Sequence, residues 1–181
     1  MDNFYHTDLR PLDCNGSPLK PLDLVVINEV PKHYWKEPEV AHLKKCAGNY
    51  GLITYSSEYG EEIQPYILGN KRHPGWVNGD CGVVCVMAHL ITDEHDVMTC
   101  EFWIPPTSLR KIPFNSLIMN IFVEYPWQMG EVDGPSSTFF VRKGIPEYEH
   151  IKRIMETPLA VLEAAHQAAM AVLDTYSGPA G

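Results

Sequence analysis

Two apolar runs joined by one short polar turn constrain this chain more than any other feature. Residues 81–91 (CGVVCVMAHLI) and 97–104 (VMTCEFWI) are nearly uninterrupted hydrophobic stretches, and Thr92-Asp93-Glu94-His95-Asp96 lies between them. A connection of that length is usual for a β-hairpin. Periodicity alone does not separate a buried strand from a buried helix. The β-branched Val83, Val84 and Val86, with Gly82 beside them, favour strand.

The flanking segments read the same way. Leu24-Val25-Val26-Ile27 is a β-branched run closed by Pro31, and Gly48-Asn49-Tyr50-Gly51 leads through a bend into Leu52-Ile53-Thr54-Tyr55. Between them, Pro38-Glu39 followed by Val40 and Leu43 fits the start of a short helix. Residues 56–80 form a long polar and aromatic loop, of the kind that often carries binding. Pro105-Pro106 stops the second hairpin strand, and Ser108-Leu109-Arg110 suggests one 3₁₀ turn before Ile112. Leu117–Tyr125 and Ser137–Val141 are two more apolar runs, read as a late strand pair, with one buried helix over 117–125 as the alternative. From Pro146 to Tyr176 the apolar residues recur at helical spacing, and Thr157-Pro158 marks the start of a second helix. The expectation is strands at 23–28, 50–56, 82–91 and 97–104 and a helix over 159–175. Residues 1–22 read as an irregular lead-in, 23–116 as the sheet domain, and 117–181 as the strand pair with a C-terminal helix packed on it.

This order of a bent strand, a Gly-containing turn, a long loop, a strong hairpin and a Pro-containing turn resembles a small SH3-like barrel. The residues that carry it are Leu24–Ile27, Gly48–Tyr55, Cys81–Ile91, Val97–Ile104 and PPTSLRKI at 105–112. It is also similar to the accessory barrel of the nitrile hydratase β-subunit. The resemblance implies an α+β chain: an SH3-like antiparallel β-barrel with a long inserted loop and a C-terminal helix. It carries over no catalytic residue, because the metal-binding thiolates of that enzyme belong to its other subunit. Such barrels host many roles, so fold says little here about activity.

Charge narrows the partners. Fourteen Lys and Arg against 23 Asp and Glu leave the chain at −9, the wrong sign for a general binder of nucleic-acid backbones. No run of about 18 apolar residues reads as a membrane span, and the first residues lack the pattern of a signal peptide. The five cysteines (Cys14, Cys46, Cys81, Cys85, Cys100) are an odd number, which argues for reduced thiols in a cytoplasm and against a disulfide framework.

Candidate chemistry is sparse. Cys81, Cys85 and His89 share one face of a strand, together with Met87 and Ile91. Thiolates and imidazole suit zinc, but i to i+4 along a strand is about 13 Å, too far for one ion. No metal and no cofactor is expected, and the histidine reads as a hydrogen-bonded core residue. Asp93-Glu94-His95-Asp96 reads as a solvated turn. Nucleophile elbows, phosphate loops and dinucleotide fingerprints are all missing, which lowers the prior for an enzyme without removing it.

The aromatic residues are more informative. Trp35, Trp76 and Trp127 lie beside or near Pro or Gly, and Tyr59 stands in the long loop with Glu61 and Glu62. Tryptophan and tyrosine dominate binding hot spots, so these six form the expected partner surface. The reading is a soluble, cytoplasmic, non-enzymatic protein-binding module. An inhibitor or immunity-type protein blocking a partner enzyme fits it, with a basic protein as the expected partner. Two alternatives stand beside it: an accessory subunit of a larger enzyme, and an enzyme that uses residues 56–80 as a lid.

Overall fold

The computed structural model describes residues 11–36, 38, 40–56, 84–92, 96–123, 139–141, 144 and 146–176. Among the described residues six strands form one antiparallel sheet: β1 (Leu24–Ile27), β2 (Tyr50–Ser56), β3 (Val84–Ile91), β4 (Val97–Ile104), β5 (Leu109–Lys111) and β6 (Phe139–Val141), in the order β5-β1-β2-β3-β4-β6. The described α-helices beside it are α1 (Ser116–Val123), α2 (Pro146–Glu156) and α3 (Leu159–Tyr176). The chain is therefore α+β. Among the described strands, β5 and β6 are the two edges of an open sheet.

The β3–β4 hairpin anticipated from the two apolar runs is the spine of the sheet, paired from Val84↔Ile104 to Ile91↔Val97. Its nearly unbroken apolar character has a simple cause: both faces are covered. Val84, Val86, Ala88, Leu90, Met98, Cys100, Phe102 and Ile104 join one core with Val25, Ile27, Ile53 and Leu109. Leu43 and Cys46, from a 3₁₀ segment over Ala41–Cys46 in the β1–β2 connection, belong to the same core. On the opposite face Leu24, Leu52, Met87 and Val97 pack with Ile118, Ile121, Phe122, Tyr148, Ile151, Ile154 and Leu162 of the helices. Burying each such side chain contributes about 1.5–3 kcal/mol.

Gly51 sits where β1 and β3 close on β2. A Cβ there would lie 2.6 Å from a Val86 methyl and 3.2 Å from one of Val25, so only glycine fits without movement. Farther along β2 the register shifts between Ile53 and Tyr55, a bulge that bends the strand.

Three expectations take a more definite form. Of the two readings of 117–125 the buried helix holds and the strand pair with 137–141 does not: residues 116–123 form α1, and Phe139–Val141 pairs with β4. Asn115 decides this locally, because its Oδ1 accepts the backbone N–H groups of Leu117 and Ile118 at 3.0 and 3.2 Å and starts the helix. Ile118, Ile121 and Phe122 then share the buried side at i, i+3 and i+4. The short helix expected to begin at Pro38 is found as a 3₁₀ segment over Ala41–Cys46, with another 3₁₀ segment at Lys32–Trp35. Finally, the described part of the lead-in is tied to the sheet edge. The Cys14 N–H donates to Leu109 O at 2.9 Å and the Lys111 N–H to Asp13 Oδ2 at 2.8 Å, so residues 11–19 cover β5 and occupy its free backbone groups.

Candidate functional site

The β1–β2 connection carries the one expected partner-surface residue that lies within the described residues, Trp35. Its position is built from fixed neighbours. The Asn28 N–H donates to Ser108 O at 2.9 Å, tying the start of the connection to the 3₁₀ turn Pro106–Ser108 between β4 and β5. Two residues after Val30 enters the core, Pro31 O accepts the Tyr34 N–H at 3.1 Å and a 3₁₀ turn forms. The Tyr34 hydroxyl donates to Trp103 O, and its ring meets Phe102 edge-on with centroids 6.0 Å apart. Tyr34 is thus pinned to β4 at both ring and hydroxyl. The next residue, Trp35, keeps 50% of its surface exposed. A large ring presented from a fixed backbone loses little further freedom on binding, which is what an interface anchor requires.

The charge around Trp35 is opposite to that of the chain as a whole. Residues 31–46 contain Lys32, Lys36, Lys44 and Lys45 against Glu37 and Glu39, or 4 − 2 = +2, in a chain of net charge −9. Lys32, Lys36 and Lys44 are exposed. Burial, aided by the charge of Lys45, holds the His42 imidazole below its ordinary value, so it stays neutral near pH 7. Tyr59, Glu61, Glu62, Trp76 and Trp127 lie outside the described residues.

His89 shows what the Cys85–His89 face does. The ring is fully buried between sheet and α1 and stacks on Phe122 at 4.8 Å. Its Nε2 lies 2.8 Å from Ile121 O and its Nδ1 2.7 Å from Thr99 Oγ1. A carbonyl only accepts, so Nε2 carries the hydrogen, and Nδ1 accepts from the Thr99 hydroxyl. Burial brings the His89 pKa down to about 4, against the opposing pull of the Ile121 carbonyl. Both nitrogens are spent on joining β3, β4 and the last turn of α1. Cys85 is buried on the same strand, and its thiol is pushed up to about 12, chiefly by burial, which makes it a poor nucleophile and a poor ligand. Cys81 lies outside the described residues. Among the described residues no group of three His, Cys, Asp or Glu side chains is placed to hold a metal ion.

Two polar constellations escaped the reading of the sequence. Asp13 accepts from the N–H groups of Asn15 and Ser17 at 2.9 and 2.7 Å as well as from Lys111. Burial works against its charge, but those three bonds and the Lys111 ammonium outweigh it and hold the carboxyl below its usual range. Lys111 Nζ in turn meets Asp23 Oδ2 at 2.7 Å. This clasp fixes the covered edge. The second joins α1 to α3: Asn115 Nδ2 donates to Leu162 O at 2.9 Å, and His166 Nδ1 accepts from the Ser116 hydroxyl at 3.0 Å and from the Ser116 N–H at 3.4 Å. A ring nitrogen that accepts a first-turn N–H is capping the helix, and the serine–histidine contact is part of that cap. An Asn immediately before an apolar run was the signal for the first half of it.

Comparison with protein families, with curated proteins and with solved structures yields no match. No helix among the described residues is long and apolar enough to cross a membrane.

Proposed function

We propose that the chain is a non-enzymatic protein-binding module on an SH3-like barrel frame, engaging another protein through aromatic side chains of its connecting loops. An inhibitor or immunity-type role in a reducing, cytoplasmic setting is the form of it we favour. The observation that carries the reading is Trp35: half exposed, one residue from a doubly anchored Tyr34, on a connection bonded to the sheet at both ends. The barrel frame is supported by the strand order β5-β1-β2-β3-β4 and by the 3₁₀ turn Pro106–Ser108 between β4 and β5, since a meander whose last short strand returns to pair with its first is the SH3-like arrangement. The reducing setting is supported by Cys46 and Cys100, free thiols whose sulfurs stand 3.9 Å apart in the core.

The partner surface combines both signs of charge. Lys32 and Lys36 beside Trp35 suit acidic groups, whereas Glu61 and Glu62 and the net charge of −9 suit a basic protein. Reversing Lys32 and Lys36 to Glu together tests this. For a partner isolated with the wild-type chain, association should slow at low salt by about tenfold, and the difference should shrink in high salt. An unchanged association rate at every salt concentration would remove the β1–β2 connection from the binding surface. The accessory-subunit reading differs in one observable: it requires the chain to be recovered only as part of a stable enzyme complex.

A further inference from the structure

Two thiols of the chain meet inside the core. Cys46 closes the 3₁₀ segment over Ala41–Cys46 and Cys100 stands in the middle of β4, 54 positions later, yet their sulfurs are 3.9 Å apart. Both are free and buried, on the face of the sheet opposite the helices. The neighbour of Cys100 across the hairpin is Ala88, and the 3₁₀ segment packs against β3. A single methyl group takes up little of the space between sheet and segment. A disulfide holds its sulfurs at about 2.05 Å, so the pair must close by about 1.9 Å, which rotation of both side chains and a small shift of the segment supply.

Neither sulfur is open to solvent, so an oxidant reaches the pair through local opening. The 3₁₀ segment is the weaker side. It is six residues long, relies on the poorer hydrogen bonds of that helix type, begins on Val40 without a side-chain cap, and is followed by Gly48 at φ 89°. Cys46 lies next to exposed Lys45 and Ala47, whereas Cys100 belongs to a strand flanked by β3 and β6. Once the segment opens, Lys44 and Lys45 favour the Cys46 thiolate. The hydrogen-bonding contact with Cys46, and burial after it, hold the Cys100 thiol well above its ordinary range, so Cys46 reacts first.

We propose that Cys46 and Cys100 form a reversible disulfide, with a small disulfide of the glutathione type as oxidant, tying the end of the β1–β2 connection to the centre of β4. The Cys46 thiolate attacks one sulfur of the oxidant, whose S–S bond breaks; one small thiolate leaves and a mixed disulfide remains on Cys46. The Cys100 sulfur, once deprotonated, attacks the Cys46 sulfur and expels the second small thiolate. The two protons given up by the protein thiols end on the two small thiolates. The two electrons lost by the protein sulfurs reduce the oxidant to two thiols. In the reducing setting proposed above the pair rests as free thiols, and a rise in oxidised small thiols closes it.

Incubation of the full chain, with Cys14→Ser to remove the exposed thiol, at graded ratios of oxidised to reduced glutathione tests this. Acid quenching, alkylation in denaturant and peptide mapping then locate the bond. The expected result is a 46–100 disulfide within the monomer, reversed by dithiothreitol. Its melting midpoint should be higher by about 5–10 °C, because the bond closes a long loop in the unfolded chain. Cys100→Ala should stop at a glutathione adduct on Cys46. Cys46→Ala and Cys100→Ala should each lose the midpoint difference between oxidising and reducing buffer, a difference read within one variant and so independent of what the substitution itself costs. Full alkylation of both thiols at the most oxidising ratio overturns the proposal, as does a bond that links other cysteines or a 46–100 bond that lowers the midpoint. So does a Cys100→Ala chain that stays unmodified at Cys46.

Discussion

Burial holds the His89 imidazole neutral, and this gives the fold a pH dependence with a definite sign. In the unfolded chain the ring titrates near 6.5, whereas in the folded protein it does so at about 4. Above the unfolded value neither state is protonated, and the group adds no pH dependence. As the pH falls from about 6.5 towards 4, the unfolded state takes up a proton that the folded state refuses, and stability is lost by up to about 3 kcal/mol. Urea unfolding at pH 7.5 and pH 5 should show about 2 kcal/mol of that loss, and His89→Gln should shrink the difference between the two pH values while lowering stability at both. An equal pH difference in the variant would place the titration elsewhere. Gly51 supplies a second residue-scale test. Its missing side chain is what lets Val86 and Val25 approach, so Gly51→Ala should cost about 1–3 kcal/mol by overpacking, read from the urea midpoint. A neutral result would mean that β2 shifts freely between its neighbours. Leu22 shows the opposite case: at φ 70° it holds a turn position that glycine prefers, and its side chain is exposed.

At the scale of elements, legibility followed the strength of local signals. The β3–β4 hairpin, β1, β2 and α3 were legible because β-branched runs, turn residues and a helical repeat agree with one another. For α1 the sequence leaves strand and buried helix both open, because Leu117–Val123 is apolar at nearly every position and periodicity has nothing to work on in such a run. What decides it is Asn115, whose side chain caps α1 with Oδ1 and holds α3 through Leu162 with Nδ2. Asn115→Ala should therefore cost more than an ordinary cap, about 2–3 kcal/mol, because it also leaves the buried Leu162 carbonyl without that donor. Chemical unfolding checks this, and a loss under about 0.5 kcal/mol would mean that α1 is held by packing alone. The clasp of Asp13 and Asp23 on Lys111 was not legible, since it joins residues about a hundred positions apart whose types are ordinary on any surface.

For the whole molecule, a sheet covered on both faces explains why polar groups near its centre are spent on structure. His89 joins sheet to helix and Asp13 joins the lead-in to the edge. The binding surface proposed above lies at the periphery, where the β1–β2 connection displays Trp35 among lysines. Of the expected partner surface, the sequence made that tryptophan visible but not its setting. The charge sign around it depends on which neighbours the fold leaves exposed, and its rigidity depends on a Tyr34–Trp103 bond between distant segments. The most direct test measures two quantities on one variant, Trp35→Ala: the thermal midpoint of the free chain and the affinity for a partner isolated with the wild type. The binding account predicts a midpoint within a few degrees of wild type and an affinity reduced by about 2 kcal/mol, or roughly thirtyfold. A midpoint lowered by about ten degrees or more with affinity unchanged would contradict it, for Trp35 would then be a packing residue and not an anchor.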